Sequence, residues 1–451
     1  MTWFKDCPNI DLMEPQAFPA ASLATLTRLL SSIEGYADVL RNSLEKQLSG
    51  IDNNDSQSTV SALNLPFHAN ASDALCASQL RVACERISQL VTPPRHLVFE
   101  AAGSFYVTMA LDVVSKADIA TIIEKVSRQK GTEGIPVDVL GRESKLDANL
   151  LARLMRHLAV FGIFQEVSLN VFANTAPSAT LVNNPEFKAH LDLVMHEGRL
   201  AVPFFPELIT NQLTASSSHP VSAFSIYSSG QAFYDWLHSP PHVDRNLNFN
   251  VAMKGMAHTE GLAFLPFDYP FHILPAEKFI VDVGGGIGTL PTLLLPSLPN
   301  HSFIVQDLAP AVNQVTKGED CFKPQPHEFN GAVFILKNMI HNYPDPEALK
   351  ILLNLRKSNP HKLLVIDRLV IPHLQSTTIG TQADTDYIPA SDPGSQRAAT
   401  FYDLIMASLH GGRNRTLEEW RELLLEGGFL LIKIYPLRAS TGQAVIEAAC
   451  N

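Results

Sequence analysis

The feature that most constrains this chain is a short apolar strand that runs directly into a glycine-rich turn. Residues 279–283 read FIVDV, and Gly284, Gly285, Gly286 and Gly288 follow at once. Glycine lets the backbone turn tightly and approach a ligand closely. Such a turn after a buried strand is typical of α/β sheets that bind ligands at the carboxyl ends of their strands. The sequence therefore predicts a ligand site at residues 282–288.

Two acids and the spacing of the glycines indicate the kind of ligand. Asp307 closes the next predicted strand, 19 residues after Gly288, where a carboxylate can accept both hydroxyls of a ribose. Asp282 can hold an amine. Thr289 stands where the dinucleotide pattern has its last glycine. This favours a nucleoside without a pyrophosphate, although a plain β–α turn explains any single glycine equally well.

From residue 280 onward, short apolar strands alternate with helical patterns, which predicts a doubly wound parallel sheet. No helix separates the last two strands, so we expect an antiparallel final pair. Thr416 and Glu419 form a capping box that begins a helix, and the polar segment 376–396 is predicted to be a long surface loop. The expected strands are Phe279–Val283, Phe303–Gln306, Ala332–Leu336, Leu363–Ile366, Leu430–Tyr435 and Ala444–Glu447.

The N-terminal half has helical periodicity. Apolar residues recur at three- and four-residue steps over residues 18–48 and 71–93, with a polar connection between. Residues 117–171 contain three short helical patterns that end in a β-wing. The clearest of these helices has Asp147 as its cap, and its expected apolar stripe is Leu150, Leu151, Leu154, Leu158 and Phe161.

The amino-acid composition limits the classes of partner that the protein is expected to bind. A formal net charge of -11 argues against nucleic acid, because phosphate binding needs a basic surface. Five cysteines without a CxxC pair predict neither a disulfide framework nor a metal site. The first 15 residues have no apolar region behind a basic one, so we expect no secretory leader, and we expect no run that approaches the roughly 20 apolar residues of a membrane span. We therefore expect a cytoplasmic protein that acts on a small molecule.

With these motifs the chain resembles the plant and fungal class of S-adenosylmethionine-dependent O-methyltransferases over nearly its whole length. The resemblance implies an α/β C-terminal Rossmann-like methyltransferase domain (271–451), an all-α N-terminal dimerisation and winged-helix domain (1–180), a connecting helical segment (181–270) and a homodimer. The matching stretches are RVACERISQLV, LLARLMRHLAVFGIFQEV, FYDWLHSPPHVDRNLNFNVAMKGM, VDVGGGIG, QDL, EDCF, LKNMIHNYPD and GGRNRT.

The resemblance also implies S-adenosylmethionine as cofactor and assigns residues to it. Asp307 would bind the ribose, Asp320 and Phe322 would flank the adenine, and Lys337 would lie beside the methionine end. The full set of expected cofactor-binding residues is Asp282, Gly284, Gly285, Gly286, Gly288, Asp307, Leu308, Asp320, Cys321, Phe322 and Lys337.

His341 matches the histidine that serves the family as general base. The family usually has an aspartate after this histidine and a glutamate in the GGxERT stretch, but this chain has Asn342 and Asn414. A carboxylate beside an imidazole orients it and stabilises its protonated form, so these departures predict a weaker base. Asp367 is a possible orienting acid.

Because of these departures, the first hypothesis is a pericyclase of fungal secondary metabolism. It would dehydrate a polyketide-derived pyridone alcohol and close a ring by an Alder-ene or hetero-Diels–Alder reaction, with the sulfonium and Lys337 stabilising negative charge. A salt link to the cofactor carboxylate is the other reading of Lys337. The alternatives are a true O-methyltransferase acting on a phenolic or pyridone hydroxyl, and an inactive homologue. The expected pocket residues are Phe233, Trp236, Met253, Met256, Tyr402, Met406 and His410.

Overall fold

The structure is a computed structural model that describes residues 20–49, 71–210, 221–307, 321–323, 325–372, 393–438 and 441–451. Its contacts divide the chain into two units between Ala101 and Ala102. The three segments expected from the sequence, with boundaries at 180 and 270, stay a prediction.

The first unit contains the two predicted N-terminal helices, α1 (Ala20–Ser49) and α2 (Ala71–Val91). They pack as an antiparallel pair, in which the Ser43 hydroxyl donates to the Asp73 carboxylate. The predicted connection falls mostly on residues 50–70, outside the described part. The buried apolar residues of the pair are Leu29, Leu40, Ala74, Val82 and Ala83.

Two further helices, α3 (Pro94–Gly103) and α4 (Phe105–Lys116), follow one another with a break at Ser104. Together they form a segment of 23 residues that, by its length and composition alone, could cross a membrane. The expectation that no run approaches this length was therefore wrong. Only 11% of the apolar window is buried, so it is not a core helix, and a single helix of this kind does not by itself assign a membrane span.

In the second unit, the predicted short helices and wing follow α4. The Asp147 carboxylate accepts a hydrogen bond from the Leu150 N–H at 2.8 Å, as expected of a cap. The predicted apolar stripe is only partly right, because Leu150 and Phe161 are each 56% exposed whereas Leu151 and Leu158 are buried. The elements are α5 (Ile119–Lys130), β1 (Ile135–Pro136), α6 (Val137–Ser144), α7 (Ala148–Val160), β2 (Phe164–Ser168) and β3 (Val171–Asn174).

A series of mostly short helices leads from the wing to the sheet. It includes one π-helical turn, Val194–Gly198, directly after α9. The α-helices are α8 (Ala176–Ala179), α9 (Pro185–Leu193), α10 (Arg199–Ala201), α11 (Phe205–Thr210), α12 (Ala223–Tyr227), α13 (Phe233–His238), α14 (Val243–Thr259) and α15 (Leu265–Asp268).

The sheet has six described strands in the order β5-β4-β6-β7-β9-β8. The strands β5, β4, β6 and β7 are parallel, and β9 is antiparallel to both of its neighbours. All six predicted strands form, and the antiparallel final pair is confirmed. Their bounds are β4 (Phe279–Val283), β5 (Ser302–Gln306), β6 (Val333–Lys337), β7 (Lys362–Arg368), β8 (Phe429–Pro436) and β9 (Gln443–Cys450).

Helices cover both faces of this sheet, so its central strands are buried. The predicted capping box is present, because Thr416 Oγ accepts from the Glu419 N–H while the Glu419 carboxylate accepts from the Thr416 N–H. The predicted loop 376–396 falls mostly outside the described residues, and its last four residues are helical instead, since α18 begins at Pro393. The helices are α16 (Thr289–Leu294), α17 (Asp345–Arg356), α18 (Pro393–Leu409) and α19 (Leu417–Glu426). The α/β fold class with a helical N-terminal region is thus confirmed.

Candidate active site

A cavity of about 400 Å³ lies at the carboxyl edge of the sheet, within the second unit. Parallel strands end together at this edge, which is why ligands of such sheets bind there. The predicted residues that line the cavity are Asp282, Gly284, Gly285, Gly286, Asp307, Cys321, Phe322, Lys337, His341, Phe233, Met253, Met256, Tyr402, Met406 and His410. Gly288, Asp367 and Trp236 are not among its lining, and Leu308 and Asp320 lie outside the described residues.

The glycine loop is shaped by its backbone. Gly284, Gly286 and Gly288 have φ angles of 74°, 57° and 81°, in the left-handed region that only glycine adopts at little cost. The Gly286 N–H donates to Asp307 Oδ2 at 2.8 Å. The loop and the acid at the end of β5 therefore hold one another at the cavity wall.

Asp282 sits beneath this loop with a carboxylate oxygen, Oδ2, that has no hydrogen-bond partner among the described residues. A Cβ at Gly285 would overlap this carboxylate. Burial raises the pKa of Asp282 to about 7, with Lys337 opposing the shift and Asp307 adding to it. A buried, unpaired carboxylate oxygen in a cavity calls for a ligand cation, and an amino acid ammonium group meets that requirement.

Lys337 ends β6, and its partner was not foreseen. Its Nζ donates to Glu260 Oε2 at 2.9 Å. Glu260 is fully buried and also accepts from Asn338 and Arg368. Burial alone would raise the pKa of Glu260, but the neighbouring cations lower it to about 2. Lys337 thus shares one buried carboxylate with Arg368, a contact that neither reading from the sequence included.

His341 lies just after β6 and is paired with the acid at the end of β7. Its Nδ1 donates to Asp367 Oδ1 at 2.6 Å, and both side chains are buried. The Arg368 N–H donates to the same Asp367 oxygen at 2.9 Å. With Nδ1 bound to a carboxylate, Nε2 is the nitrogen that can accept a proton. Asp367 of the adjacent strand, the residue expected as a possible orienting acid, thus contacts His341, although Asn342 replaces the aspartate that the family usually has.

Sequence reasoning missed a residue that braces this histidine. The buried guanidinium of Arg415 donates to the carbonyl oxygens of Ile340 and Tyr343, on either side of His341, and pairs with Asp345. Its place within GGRNRT was the available signal.

The two departures from the family pattern have different surroundings. Asn342 lines the cavity. Asn414 is buried, its main-chain N–H donates to Asp403, and its side-chain amide donates to the carbonyl oxygen of Ala399 in α18.

Trp236 belongs to an aromatic cluster and not to the cavity wall. Its ring stacks on His242, with centroids 3.7 Å apart, and meets Phe224 edge to face at 5.2 Å. Phe233 and Tyr234 of α13 do line the cavity, and Phe233 also meets Phe224 edge to face at 5.2 Å. No group of three or more potential metal-ligating side chains occurs in the described ranges.

Comparisons with known proteins support the interpretation of this cavity as a ligand-binding site. Residues 238–430 match a family model described as an O-methyltransferase domain. The chain is 24% identical to 4-O-methyltransferase 1 of Phanerochaete chrysosporium, over 89% of this chain and 97% of the relative. It is 26% identical to O-methyltransferase tpcA of Aspergillus fumigatus, over 81% of this chain and 85% of the relative.

Solved structures agree on the fold. The crystal structure of OxaC covers 95% of this chain and 100% of its own, with a TM-score of 0.66 and 17% identity. The structure of LaPhzM covers 80% of this chain and 100% of its own, with a TM-score of 0.61 and 23% identity. OxaC has also been solved in complex with SAH and oxaline.

The cofactor that goes with this fold and domain is S-adenosylmethionine, and the residues present fit it. The unpaired Asp282 oxygen suits its ammonium group, Asp307 stands at the ribose position, and Phe322 offers a ring beside the cavity, edge to face with Tyr343 at 5.3 Å. Residues 238–430 thus match the O-methyltransferase domain model, and the chain has the fold of solved O-methyltransferase structures.

Proposed function

We propose that this protein is an O-methyltransferase that acts on a hydroxyl group of a flat, mostly apolar small molecule. The observation that carries the proposal is the His341–Asp367 pair, whose histidine lines the same cavity as the glycine loop and Asp282. The cofactor, when bound, supplies an electrophilic methyl group.

The protein residues account for the remaining requirements. His341 Nε2 accepts the proton of the substrate hydroxyl, while Asp367 keeps Nδ1 protonated and stabilises the imidazolium that forms. Phe233, Met253 and Met256 offer an apolar wall on which an aromatic ring can lie.

The pericyclase hypothesis is the finer alternative, and the described residues favour it less. It relied on a weakened histidine and on a lysine charge available for the substrate. His341 has its carboxylate, and Lys337 is paired with Glu260. The relatives quoted above are named as O-methyltransferases.

Product analysis separates the two reactions. The protein is incubated with S-adenosylmethionine and a panel of phenols and pyridone alcohols, and the products are weighed by mass spectrometry. We expect one S-adenosylhomocysteine for each methylated product. Loss of water with ring closure and no consumption of S-adenosylmethionine would establish the pericyclase instead.

Substitutions of His341 and of a control histidine test whether His341 is the general base. His341→Ala should lower kcat by about 100-fold or more, since general-base catalysis contributes roughly 10²–10⁴-fold. His361→Ala is the matched control, because this exposed histidine directly precedes the opposite end of β7. Equal activity of the two variants would remove His341 from the mechanism.

We further propose that the protein is a cytoplasmic homodimer. Helices α3 and α4 carry exposed apolar side chains, including Val98 at 72% and Phe99 at 78%. Groups of exposed apolar side chains on one segment are rarely left in contact with solvent. Light scattering should report twice the mass of 49.5 kDa without detergent. A monomer at all concentrations, or a requirement for detergent, would contradict this assignment.

A further inference from the structure

Four histidines line the cavity, His190, His238, His341 and His410, and the surroundings of His410 differ strongly from those of His341. His410 directly follows α18 and lines the cavity. Its ring meets Phe233 edge to face with centroids 5.1 Å apart, and lies tilted over Tyr234 at 5.0 Å. Unlike His341, it has no side-chain hydrogen bond or ion pair to another residue in the described part of the chain. Its ring nitrogens are therefore available to a ligand.

The backbone fixes His410 relative to His341. The turn that follows α18 is attached to the His341 main chain, since the Arg413 N–H donates to the His341 carbonyl oxygen at 2.9 Å. Gly412 packs so closely on this carbonyl that a Cβ would overlap it. On its other side the turn is attached to α18, where the His410 and Gly412 N–H groups both donate to the Met406 carbonyl oxygen. The two imidazoles thus enter the cavity from one rigid junction.

The chemistry of the two rings differs. His341 has the Asp367 carboxylate to balance a positive charge, whereas His410 is surrounded by aromatic rings. Burial and, secondarily, the proximity of His341 lower the pKa of His410 to about 3. His410 consequently stays neutral while His341 takes up a proton. A neutral imidazole has one N–H donor and one acceptor nitrogen, which suits it to hold a substrate oxygen and not to act as a second base.

We propose that His410 is a positioning residue that hydrogen-bonds a second oxygen of the substrate, next to the hydroxyl from which His341 takes the proton. This inference rests on the proposed function and specifies its substrate class. The cavity selects aromatic compounds with two neighbouring oxygens, such as ortho-diphenols or ortho-hydroxy carbonyl compounds. One oxygen is methylated, and the other is held by His410. His341 then contacts the oxygen that is methylated, and His410 contacts the neighbouring oxygen.

The test compares matched ligands and matched variants. The ligands are an ortho-diphenol and the monophenol of the same ring system. His410→Phe keeps an aromatic ring but loses the hydrogen bond, and His410→Gln restores a donor and an acceptor. We expect His410→Phe to raise KM for the ortho-diphenol about tenfold, the effect of losing roughly one hydrogen bond. KM for the monophenol should change little, and His410→Gln should recover part of the loss.

Binding is measured separately by calorimetry on protein saturated with S-adenosylhomocysteine, which cannot transfer a methyl group. Wild-type protein should bind the ortho-diphenol more tightly than the monophenol, and His410→Phe should abolish the difference. If binding shows this preference but no ligand is methylated, the proposed function fails, whereas the role of His410 in holding a second substrate oxygen stands. Methylation without any preference, an equal loss for both ligands in His410→Phe, or no binding of either ligand would overturn the inference.

Discussion

At the scale of single residues, Asp367 is the group on which the proposed base depends. Its carboxylate receives His341 Nδ1 at 2.6 Å in a buried setting. We expect Asp367→Asn to lower kcat by about 100-fold or more, because an amide can neither hold the same tautomer nor stabilise an imidazolium. KM for S-adenosylmethionine should be unaffected. Steady-state kinetics decides this, with the exposed Asp244→Asn as control; a loss confined to KM would contradict it.

Asp282 gives the cofactor site a pH dependence. Its pKa is raised to about 7 by burial, yet it must be ionised to pair with an ammonium group. S-adenosylhomocysteine should therefore bind more tightly as the pH rises from about 6 to about 8, with release of a proton. Calorimetry in buffers of different ionisation enthalpy measures that proton. Asp282→Asn should abolish the release, and an unchanged release would assign it to another group.

The same shift has a consequence for stability. The folded-state pKa of Asp282 lies above its unfolded value, so its contribution is fully present below the unfolded pKa and is lost as the pH rises through about 7. Protein without cofactor should accordingly lose stability from this group between about pH 4 and about pH 7. Urea unfolding across that range, compared with Asp282→Asn, isolates the effect from other titrating groups.

Individual residues also show which contacts of the site could not be predicted from the sequence. Glu260 follows α14 in the polar stretch HTEG, which gives no sign that its side chain is fully buried among Lys337, Asn338 and Arg368. Asp367 was foreseen because the carboxyl ends of neighbouring parallel strands must meet. The Glu260 contacts depend on how a helix end packs on the sheet, which periodicity does not encode.

At the scale of elements, the start of α19 depends on its capping box. Thr416 and Glu419 satisfy one another's main-chain N–H groups. We expect Thr416→Ala to lower the free energy of unfolding by about 1 kcal/mol, measured by urea denaturation. Thr27→Ala, at an exposed position within α1, should have a much smaller effect. A Thr416→Ala loss no larger than that of the control would show that the box is dispensable.

The strands were the most predictable elements because each is a short apolar run, and the central strands are buried on both faces. Which side of a helix faces the core was less predictable. Trp236 turns from the cavity into an aromatic cluster, while Phe233, three residues earlier on α13, faces the cavity. Leu150 and Phe161 lie on exposed parts of the winged-helix region. Apolar character alone does not say which neighbour covers a side chain.

At the scale of the whole molecule, cofactor binding should stabilise the second unit, since the complete cavity lies within residues 102–451. S-adenosylhomocysteine at about 100 times its dissociation constant should add ~2.7 kcal/mol and raise the melting temperature in a scanning fluorimetry experiment. Asp307→Ala should greatly reduce this shift, because it removes both the ribose acceptor and the hydrogen bond that holds the glycine loop. An undiminished shift would remove Asp307 from the cofactor site.

The order of the strands in the sheet determines when the surroundings of Asp367 can form during synthesis. β9, the last of the described strands along the chain, lies between β7 and β8, and its Ala444 pairs with Asp367. During synthesis on the ribosome, the β7 edge that carries Asp367 must wait for residues 443–450 before it acquires this neighbour. The surroundings of Asp367 are therefore complete only after residues 443–450 have been synthesised. A transcript cut short upstream of β9 should yield protein that retains the glycine loop but has no competent base.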